Sequence, residues 1–179
     1  MEGSELFEKS IILIGPSGVG KTTIGKELSI ITGMKQINLD RIANSDRTRG
    51  ITSKFPSRDD YKLYLFKKVI ENAIETNSYG IVDFGAGYSV FDSEEKFIEA
   101  QELLGSFKNI VLLQYSDDIE ESLNVINARS KGSTENNYRY ITSDCNARLA
   151  TMTIVTKDKM PDEIAKEIIE KIKENNKTI

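Results

Sequence analysis

The sequence lacks several residue types on which common protein chemistry depends. Among its 179 residues there is no histidine and no tryptophan, and Cys145 is the only cysteine. The absence of histidine excludes histidine general bases, Ser-His triads and histidine-ligated metal sites. A single cysteine excludes an internal disulfide and a cysteine-ligated zinc cluster. Any proton transfer must therefore rely on Asp, Glu, Lys or Tyr.

Long apolar runs and an excess of positive charge are missing as well. No stretch approaches the roughly 20 apolar residues that a transmembrane helix needs, and the acidic N-terminal segment does not resemble a signal peptide. The net charge is −4, which disfavours a general nucleic-acid binder because such proteins neutralise phosphates. We therefore expect a cytoplasmic protein without membrane or nucleic-acid partners. The length predicts a single domain over residues 1–179, and a monomer is the simplest expectation.

The most informative stretch is a glycine-rich motif that directly follows an apolar run, Ile11–Ile14. The motif and its neighbour are Gly15, Pro16, Ser17, Gly18, Val19, Gly20, Lys21, Thr22 and Thr23. It matches the P-loop pattern G-x-x-x-x-G-K-[ST] at every position, and the alternative of a plain glycine-rich turn explains less of it. In a P-loop, inward-pointing N–H groups and the following helix dipole bind phosphates.

The chemistry of this motif predicts ATP and Mg²⁺ as ligands. Lys21 can contact the β- and γ-phosphates, which gives it a catalytic role, and the hydroxyl of Thr22 can ligate the metal. The motif specifies only the phosphate donor. The acceptor has to be inferred from the rest of the chain.

Apolar runs that predict strands alternate with amphipathic stretches that predict helices along the whole chain. After the first strand, further strands are expected at 35–40, 79–84, 109–114 and 151–155. This alternation predicts an α/β domain whose parallel sheet is covered by helices on both faces. Ligands of such sheets bind beyond the carboxyl ends of the strands.

Two carboxylates follow predicted strands on the side where the γ-phosphate is expected. Asp83 ends the apolar run Ile81-Val82-Asp83, an arrangement similar to the Walker B carboxylate that holds Mg²⁺ through its water shell. Asp40 ends the second predicted strand and could accept the proton of a substrate hydroxyl. Each of them could instead be a turn or capping residue.

Three further features are candidates for the acceptor side. Gly85, Ala86 and Gly87 follow the third strand and permit either close approach to a substrate or a tight turn. Arg129 opens the polar stretch 129–137, which predicts a lid with an arginine that stabilises the transferring phosphoryl group. The alternative for Arg129 is an exposed arginine at a helix end.

Residues 41–58 form a basic segment in an otherwise acidic chain. Its cations are Arg41, Arg47, Arg49, Lys54 and Arg58. One interpretation is a substrate-binding arm that closes over an anion. The other is a solvated loop or a short surface helix, and the sequence favours neither.

The order of these blocks resembles the shikimate kinase family and, more broadly, small kinases with the nucleoside-monophosphate-kinase fold. The blocks are GPSGVGKTTIGKEL, TGMKQINLD, IVDFGAG and LATMTIVTKDKMPDEIAKEI. The resemblance implies a three-layer αβα fold with a five-stranded parallel sheet of order 2-3-1-4-5. It also implies a substrate-binding region after the second strand, a short lid, and transfer of the γ-phosphoryl group of ATP to a hydroxyl.

Carried over by position, the resemblance is complete for the donor and partial for the acceptor. It implies that Asp40 contacts the acceptor hydroxyl and that Gly85, Ala86 and Gly87 contact the acceptor. Asn38 stands where the family has a metal-linked Asp, and Asp83 is the candidate to replace it. Tyr64 and Thr142 stand where acceptor-binding arginines are expected, with Arg139 and Arg148 close but out of register.

The function expected from the sequence is that of an ATP-dependent kinase whose acceptor is a hydroxyl of a small anionic metabolite. One alternative is a nucleotide kinase that holds an acceptor phosphate with the arginines of 41–58. Another is a nucleotide-binding ATPase or switch without a small acceptor. No N-K-x-D guanine motif follows an apolar strand, which disfavours a GTPase.

Overall fold

A five-stranded parallel sheet forms the centre of the molecule. The computed structural model describes residues 8–76, 80–130 and 132–177. The strands are β1 (Ile11–Ile14), β2 (Lys35–Asn38), β3 (Gly80–Asp83), β4 (Asn109–Gln114) and β5 (Met152–Val155). Their order is β2-β3-β1-β4-β5, with every neighbouring pair parallel. The fold class and strand order expected from the sequence are therefore confirmed.

Helices cover both faces of this sheet. They are α1 (Lys21–Thr32), α2 (Leu39–Thr48), α3 (Arg58–Thr76), α4 (Glu94–Leu104), α5 (Ile119–Arg129), α6 (Thr134–Thr142), α7 (Asp144–Leu149) and α8 (Pro161–Lys177). A single 3-10 turn, Thr52–Lys54, lies between α2 and α3. None of the helices in the described ranges combines the length and apolar character that a membrane span requires.

The strand β1 connects the two layers of core because successive side chains of a strand point to opposite faces. Ile12 and Ile14 pack in one cluster with apolar residues of α2, α3, α4 and α7. Ile11 and Leu13 pack in the other cluster with residues of α1, α5 and α8. All four side chains are at most 1% exposed, so this short strand is rigid support for the loop that follows it.

The second strand is shorter than expected from the sequence. It ends at Asn38, whose side-chain oxygen accepts a hydrogen bond from the N–H of Arg41 at 3.1 Å and thereby caps α2. The prediction that Asp40 ends a strand is therefore wrong, because Asp40 lies in the first turn of α2. The basic segment 41–58 is mainly helix and 3-10 turn, which agrees with the short-helix interpretation of its local structure.

Two predicted segments fall partly outside the described residues. The third strand begins at Gly80, and the predicted start at Tyr79 lies outside the described part. In the polar stretch 129–137, α5 ends at Arg129 and α6 begins at Thr134, while Lys131 lies outside. The lid itself stays a prediction.

A buried ion pair attaches the start of α3 to the loop after β3. The ammonium group of Lys62 lies 2.7 Å from one carboxylate oxygen of Asp59 and also donates to the carbonyl of Val90. The other oxygen of Asp59 accepts the N–H groups of Asp92 at 2.8 Å and Ser93 at 3.0 Å. These hydrogen bonds fix the position of the loop against α3. Removal of either partner of the pair would leave a buried charge.

Candidate active site

The P-loop adopts the conformation that its glycines permit. Gly15, Gly18 and Gly20 have φ values of +133°, +76° and +105°, a region that other residues rarely occupy. At Gly15 a Cβ atom would also lie 2.3 Å from the carbonyl oxygen of Leu113 on β4. The loop therefore curls tightly against the sheet before α1 begins at Lys21.

Lys21 is buried at the base of this loop. Its ammonium group donates to the carbonyl oxygens of Gly15 at 2.8 Å and Pro16 at 2.7 Å. Burial lowers the pKa of Lys21 to about 8, although the charges of Asp83 and Asp40 partly oppose that shift. A desolvated ammonium held by neutral carbonyls gains much from a nearby phosphate, so this geometry fits a bound nucleoside triphosphate.

Thr22, Asp83 and Asn38 meet at one carboxylate oxygen. The Thr22 hydroxyl donates to Oδ2 of Asp83 at 2.6 Å, and the side-chain amide of Asn38 donates to the same oxygen at 2.7 Å. Asp83 is 1% exposed. Hydroxyl and carboxylate oxygens are the ligands that Mg²⁺ accepts directly or through water, so Thr22 and Asp83 fit a magnesium ion. Asn38 supplies a hydrogen bond that orients Asp83, where the family has a second negative charge.

Asp40 projects from α2 toward the loop after β3. A Cβ atom on Gly85 would lie 2.1 Å from the Oδ1 atom of Asp40, so only glycine leaves room for this carboxylate. One edge of the Asp40 side chain is exposed to the cleft. Desolvation of the part that packs over the Gly85 backbone raises the pKa of Asp40. The charges of Lys21 and Arg47 oppose this rise, and the charge of Asp83 adds to it.

The cavity around these groups has a volume of about 460 Å³. It is lined by Ser17, Gly18, Gly20, Lys21, Thr22, Thr23, Asp40, Asp83, Ala86 and Arg129. The structure thus brings the predicted donor, metal and hydroxyl-binding groups together in one cleft. Five of the predicted residues do not line it, namely Gly15, Pro16, Val19, Gly85 and Gly87. The side chain of Val19 is 3% exposed in the core, and Pro16 lines a neighbouring cavity.

Arg129 lies beside the P-loop at the end of α5. A Cβ atom on Gly18 would be 3.3 Å from the Cβ of Arg129, and the Arg129 guanidinium lies over the ring of Tyr115, 5.3 Å from its centroid. Because Arg129 is the last residue of α5, this helix sets the position of its backbone beside the P-loop. Gly87 is placed differently, because it packs against Tyr140, whose ring a Cβ would approach to 2.6 Å.

A second cavity, which we name the acceptor cavity, opens beside Asp40 and has a volume of about 540 Å³. Its lining residues are Arg47, Thr52, Phe55, Pro56, Ser57, Arg58, Tyr61 and Tyr88. Burial raises the pKa of Tyr88, the charge of Asp40 adds to this shift, and Arg58 and Arg47 oppose it. Tyr88 therefore lies within electrostatic reach of Asp40 and of both arginines, which places the acceptor cavity next to the cleft.

The two positions where the family has acceptor-binding arginines lie elsewhere. Tyr64 packs in an aromatic cluster with Phe55 and Tyr61, at centroid distances of 4.9 and 6.0 Å. The hydroxyl of Thr142 donates to the carbonyl of Tyr138 in its own helix at 2.9 Å. Neither residue lines the acceptor cavity.

The neighbouring arginines on α6 and α7 are held by ion pairs. Arg139 pairs with Asp92 in the loop after β3. Arg148 pairs with Glu94 at 2.6 Å and stacks over Phe97 at 4.3 Å from the ring centroid. Sequence reasoning missed Tyr61 and Tyr88 as lining residues. The position of Tyr88 directly after Gly85-Ala86-Gly87 was the available signal.

Comparisons with known proteins agree with this architecture. A family model described as shikimate kinase matches residues 17–173. Over 127 residues the chain is 32% identical to the pentafunctional AROM polypeptide of Candida glabrata, which covers 65% of this chain but only 7% of that much longer polypeptide.

Solved structures show the same fold at lower identity. A shikimate kinase from Acinetobacter baumannii in complex with shikimate has a TM-score of 0.65 and 19% identity, covering 96% of this chain and 98% of that one. A gluconokinase from Sinorhizobium meliloti has a TM-score of 0.62 and 15% identity, covering 96% and 95%. Because the family model spans most of the chain and the sheet order agrees with it, the chain belongs to the shikimate kinase family.

Proposed function

We propose that the protein is an ATP-dependent kinase that phosphorylates a hydroxyl group of a small anionic metabolite. The observation that carries the proposal is the convergence of Lys21, the Thr22–Asp83 pair and Asp40 in one cleft. Such a kinase would act in the cytoplasm as a monomer, as expected from the sequence.

On the donor side the chain's own groups hold the phosphates and the metal. Lys21 exchanges its contacts to the carbonyls of Gly15 and Pro16 for the β- and γ-phosphates, which keep it protonated. Thr22 and Asp83 would hold Mg²⁺, which would supply charge neutralisation at the phosphate oxygens. Arg129 stands at the edge of the same cleft and stabilises the charge of the transferring group.

On the acceptor side Asp40 orients the attacking hydroxyl and accepts its proton. The hydroxyl oxygen forms a bond to the γ-phosphorus while the bond to the β–γ bridging oxygen breaks. A raised pKa makes Asp40 a better proton acceptor than an ordinary aspartate. Arg47 and Arg58 bind the anionic group of the acceptor in the acceptor cavity, since the positions of Tyr64 and Thr142 cannot supply that charge.

The identity of the acceptor is tested by ADP release across a panel of hydroxylated anions. Shikimate, gluconate and nucleoside monophosphates each present a hydroxyl or phosphate together with a negative charge. The proposal expects one class to stimulate ADP release in the wild type and not in Asp40→Asn. Stimulation that persists undiminished in Asp40→Asn would remove Asp40 from its proposed role.

A second candidate is a nucleotide-binding ATPase or switch, favoured by the changed residues at Tyr64 and Thr142. It predicts ATP turnover that no small hydroxyl compound stimulates but that a protein partner does. A nucleotide kinase is the third arm of the same panel, since two arginines also suit an acceptor phosphate. Selective stimulation by nucleoside monophosphates would favour it.

A further inference from the structure

The face of α2 turned away from Asp40 lines a separate cavity of about 380 Å³, between α2, α3 and the edge strand β2. We name it the outer cleft. Its lining residues are Ile37, Arg41, Ile42, Ser45, Asp46, Arg49, Lys68, Val69 and Asn72. None of these residues lines the active-site cleft or the acceptor cavity, and the kinase mechanism proposed above does not use them.

The chemistry of the outer cleft combines positive charge with an apolar floor. Arg41 lies in the first turn of α2, Arg49 directly follows its last residue, and both are exposed. In the part of the chain that the structure describes, neither guanidinium group forms an ion pair. The cavity is also lined by Ile37, Ile42 and Val69. Unpaired cations over apolar side chains complement an anion that carries an apolar body.

We propose that the outer cleft binds a small organic anion, a carboxylate on an apolar ring or chain. Arg41 and Arg49 contact the carboxylate, and the isoleucines contact the apolar body. Inorganic phosphate satisfies only the cations and leaves the apolar walls in water, so it binds more weakly. Binding at this site does not depend on the function proposed above.

A polar chain connects the outer cleft to the acceptor cavity. Lys68 lines the cleft and lies 3.4 Å from Oδ1 of Asp46, which is 1% exposed. The hydroxyl of Tyr61 donates to Oδ2 of Asp46 at 3.3 Å, and Tyr61 lines the acceptor cavity. The opposite face of α2 carries Asp40 and Arg47. An anion that attracts Lys68 therefore weakens its pairing with Asp46 and changes the support of Tyr61.

The consequence is regulation of acceptor binding by the anion in the outer cleft, and this part rests on the proposed kinase function. Burial lowers the pKa of Lys68, but Tyr64 and Asp46 outweigh this effect, so that the pKa is raised overall. Lys68 is therefore charged in the folded protein. Both Asp46 and a bound carboxylate compete for that charge. We expect the KM for the acceptor to change severalfold while the KM for ATP stays the same.

Binding is tested on the full chain with naphthalene-2-carboxylate as probe and isoleucine-methyl NMR as readout. The neutral naphthalene-2-carboxamide and inorganic phosphate are the comparison ligands. We expect the methyl signals of Ile37 and Ile42 to shift with the carboxylate alone. No isoleucine lines the acceptor cavity, so probe bound there leaves these two signals in place.

Variants decide whether the two arginines carry the binding. Arg41→Gln and Arg49→Gln should each weaken the carboxylate about tenfold, the value of one charge-assisted hydrogen bond. Lys67→Gln, an exposed neighbour on α3 outside the cleft, removes the same charge and should change nothing. Absence of the methyl shifts at millimolar probe, or equal affinity in both arginine variants and the wild type, would overturn the proposal.

The coupling is tested separately by kinetics in the presence of the probe. Wild type should show a severalfold change in acceptor KM, and Lys68→Met, which removes the charge at a half-buried position and keeps most of the side-chain volume, should show none. If the probe changes the acceptor KM of Lys68→Met and of Arg41→Gln as much as that of the wild type, the probe competes directly in the acceptor cavity. That result would overturn the coupling. If no acceptor is phosphorylated at all, the proposed function fails while the NMR result on binding stands.

Discussion

The donor and acceptor sides of this cleft are built in different ways. The phosphate-binding part of the donor side is one continuous segment, residues 15–23, which joins a buried strand to a helix. The acceptor side combines α2, the start of α3 and the loop after β3, with side chains that reach over from each. A site made of one segment keeps its geometry when the surroundings vary. A site made of several segments can gain a binding charge from a different element, and we propose that Arg47 and Arg58 supply the charge that Tyr64 and Thr142 lack.

The largest expected effect is on the donor side. Lys21→Ala should lower phosphoryl transfer by about 10³-fold, because a buried cation aimed at the phosphates is lost. The measurement is ADP release at saturating acceptor. Lys26→Ala removes an exposed lysine one turn further along α1 and should retain wild-type turnover. Equal loss in both variants would point to a folding defect and not to the donor site.

Asp40→Asn should affect only the acceptor side. We expect turnover to fall by about 10²- to 10³-fold, since the proton acceptor is lost while the shape is kept. The dissociation constant for ATP, measured by calorimetry, should stay within twofold. A large loss of ATP affinity would mean that the two sides are not separable as described.

Gly85→Ala tests the same side by shape alone. A methyl group would lie 2.1 Å from the Oδ1 atom of Asp40, so the carboxylate must move. A displacement of that size should lower turnover by about 10²-fold, with nucleotide binding preserved. Wild-type turnover would show that the position of Asp40 tolerates movement, contrary to its proposed role.

Asn38→Ala probes the support of the metal site. Removal of the amide leaves Asp83 with the Thr22 hydroxyl as its remaining partner on Oδ2. We expect the Mg²⁺ concentration for half-maximal activity to rise about tenfold, as for other lost supports of a metal ligand. Asn38→Asp restores the family's residue and should recover or lower the Mg²⁺ requirement. An unchanged requirement in Asn38→Ala would separate Asn38 from the metal.

The smallest expected effect concerns pH. The pKa of Lys21 is about 8 without nucleotide, and bound phosphates favour its charged form. Apparent ATP affinity should therefore fall about tenfold between pH 7 and pH 9. The free energy of unfolding should change in the opposite direction, rising from pH 8 toward 10.5, because the unfolded chain binds the Lys21 proton more tightly. ATP affinity that is flat over this range would contradict the assigned burial of Lys21.

The sequence predicts the fold and the backbone conformation of the P-loop well because both depend on local patterns. Apolar runs define the strands, and the glycines of the P-loop define its curvature. The position of Asp40 was predicted less well, because a cap by Asn38 ends β2 early and the apolar pattern does not show that. Whether Arg47 or Arg139 faces an acceptor depends on helix rotation and on a distant partner such as Asp92. Such information is not present in any single segment.

The central claim is that Arg47 and Arg58 replace the family's arginines in binding the acceptor anion. The most direct test is the pair of KM values for the double variant Arg47→Gln/Arg58→Gln, with Lys54→Gln/Lys67→Gln as the control that removes two charges outside the cavity. We predict that the acceptor KM rises at least about 10²-fold, as expected for two lost charge-assisted contacts, while the KM for ATP stays within twofold. An acceptor KM equal to that of the control would contradict the claim.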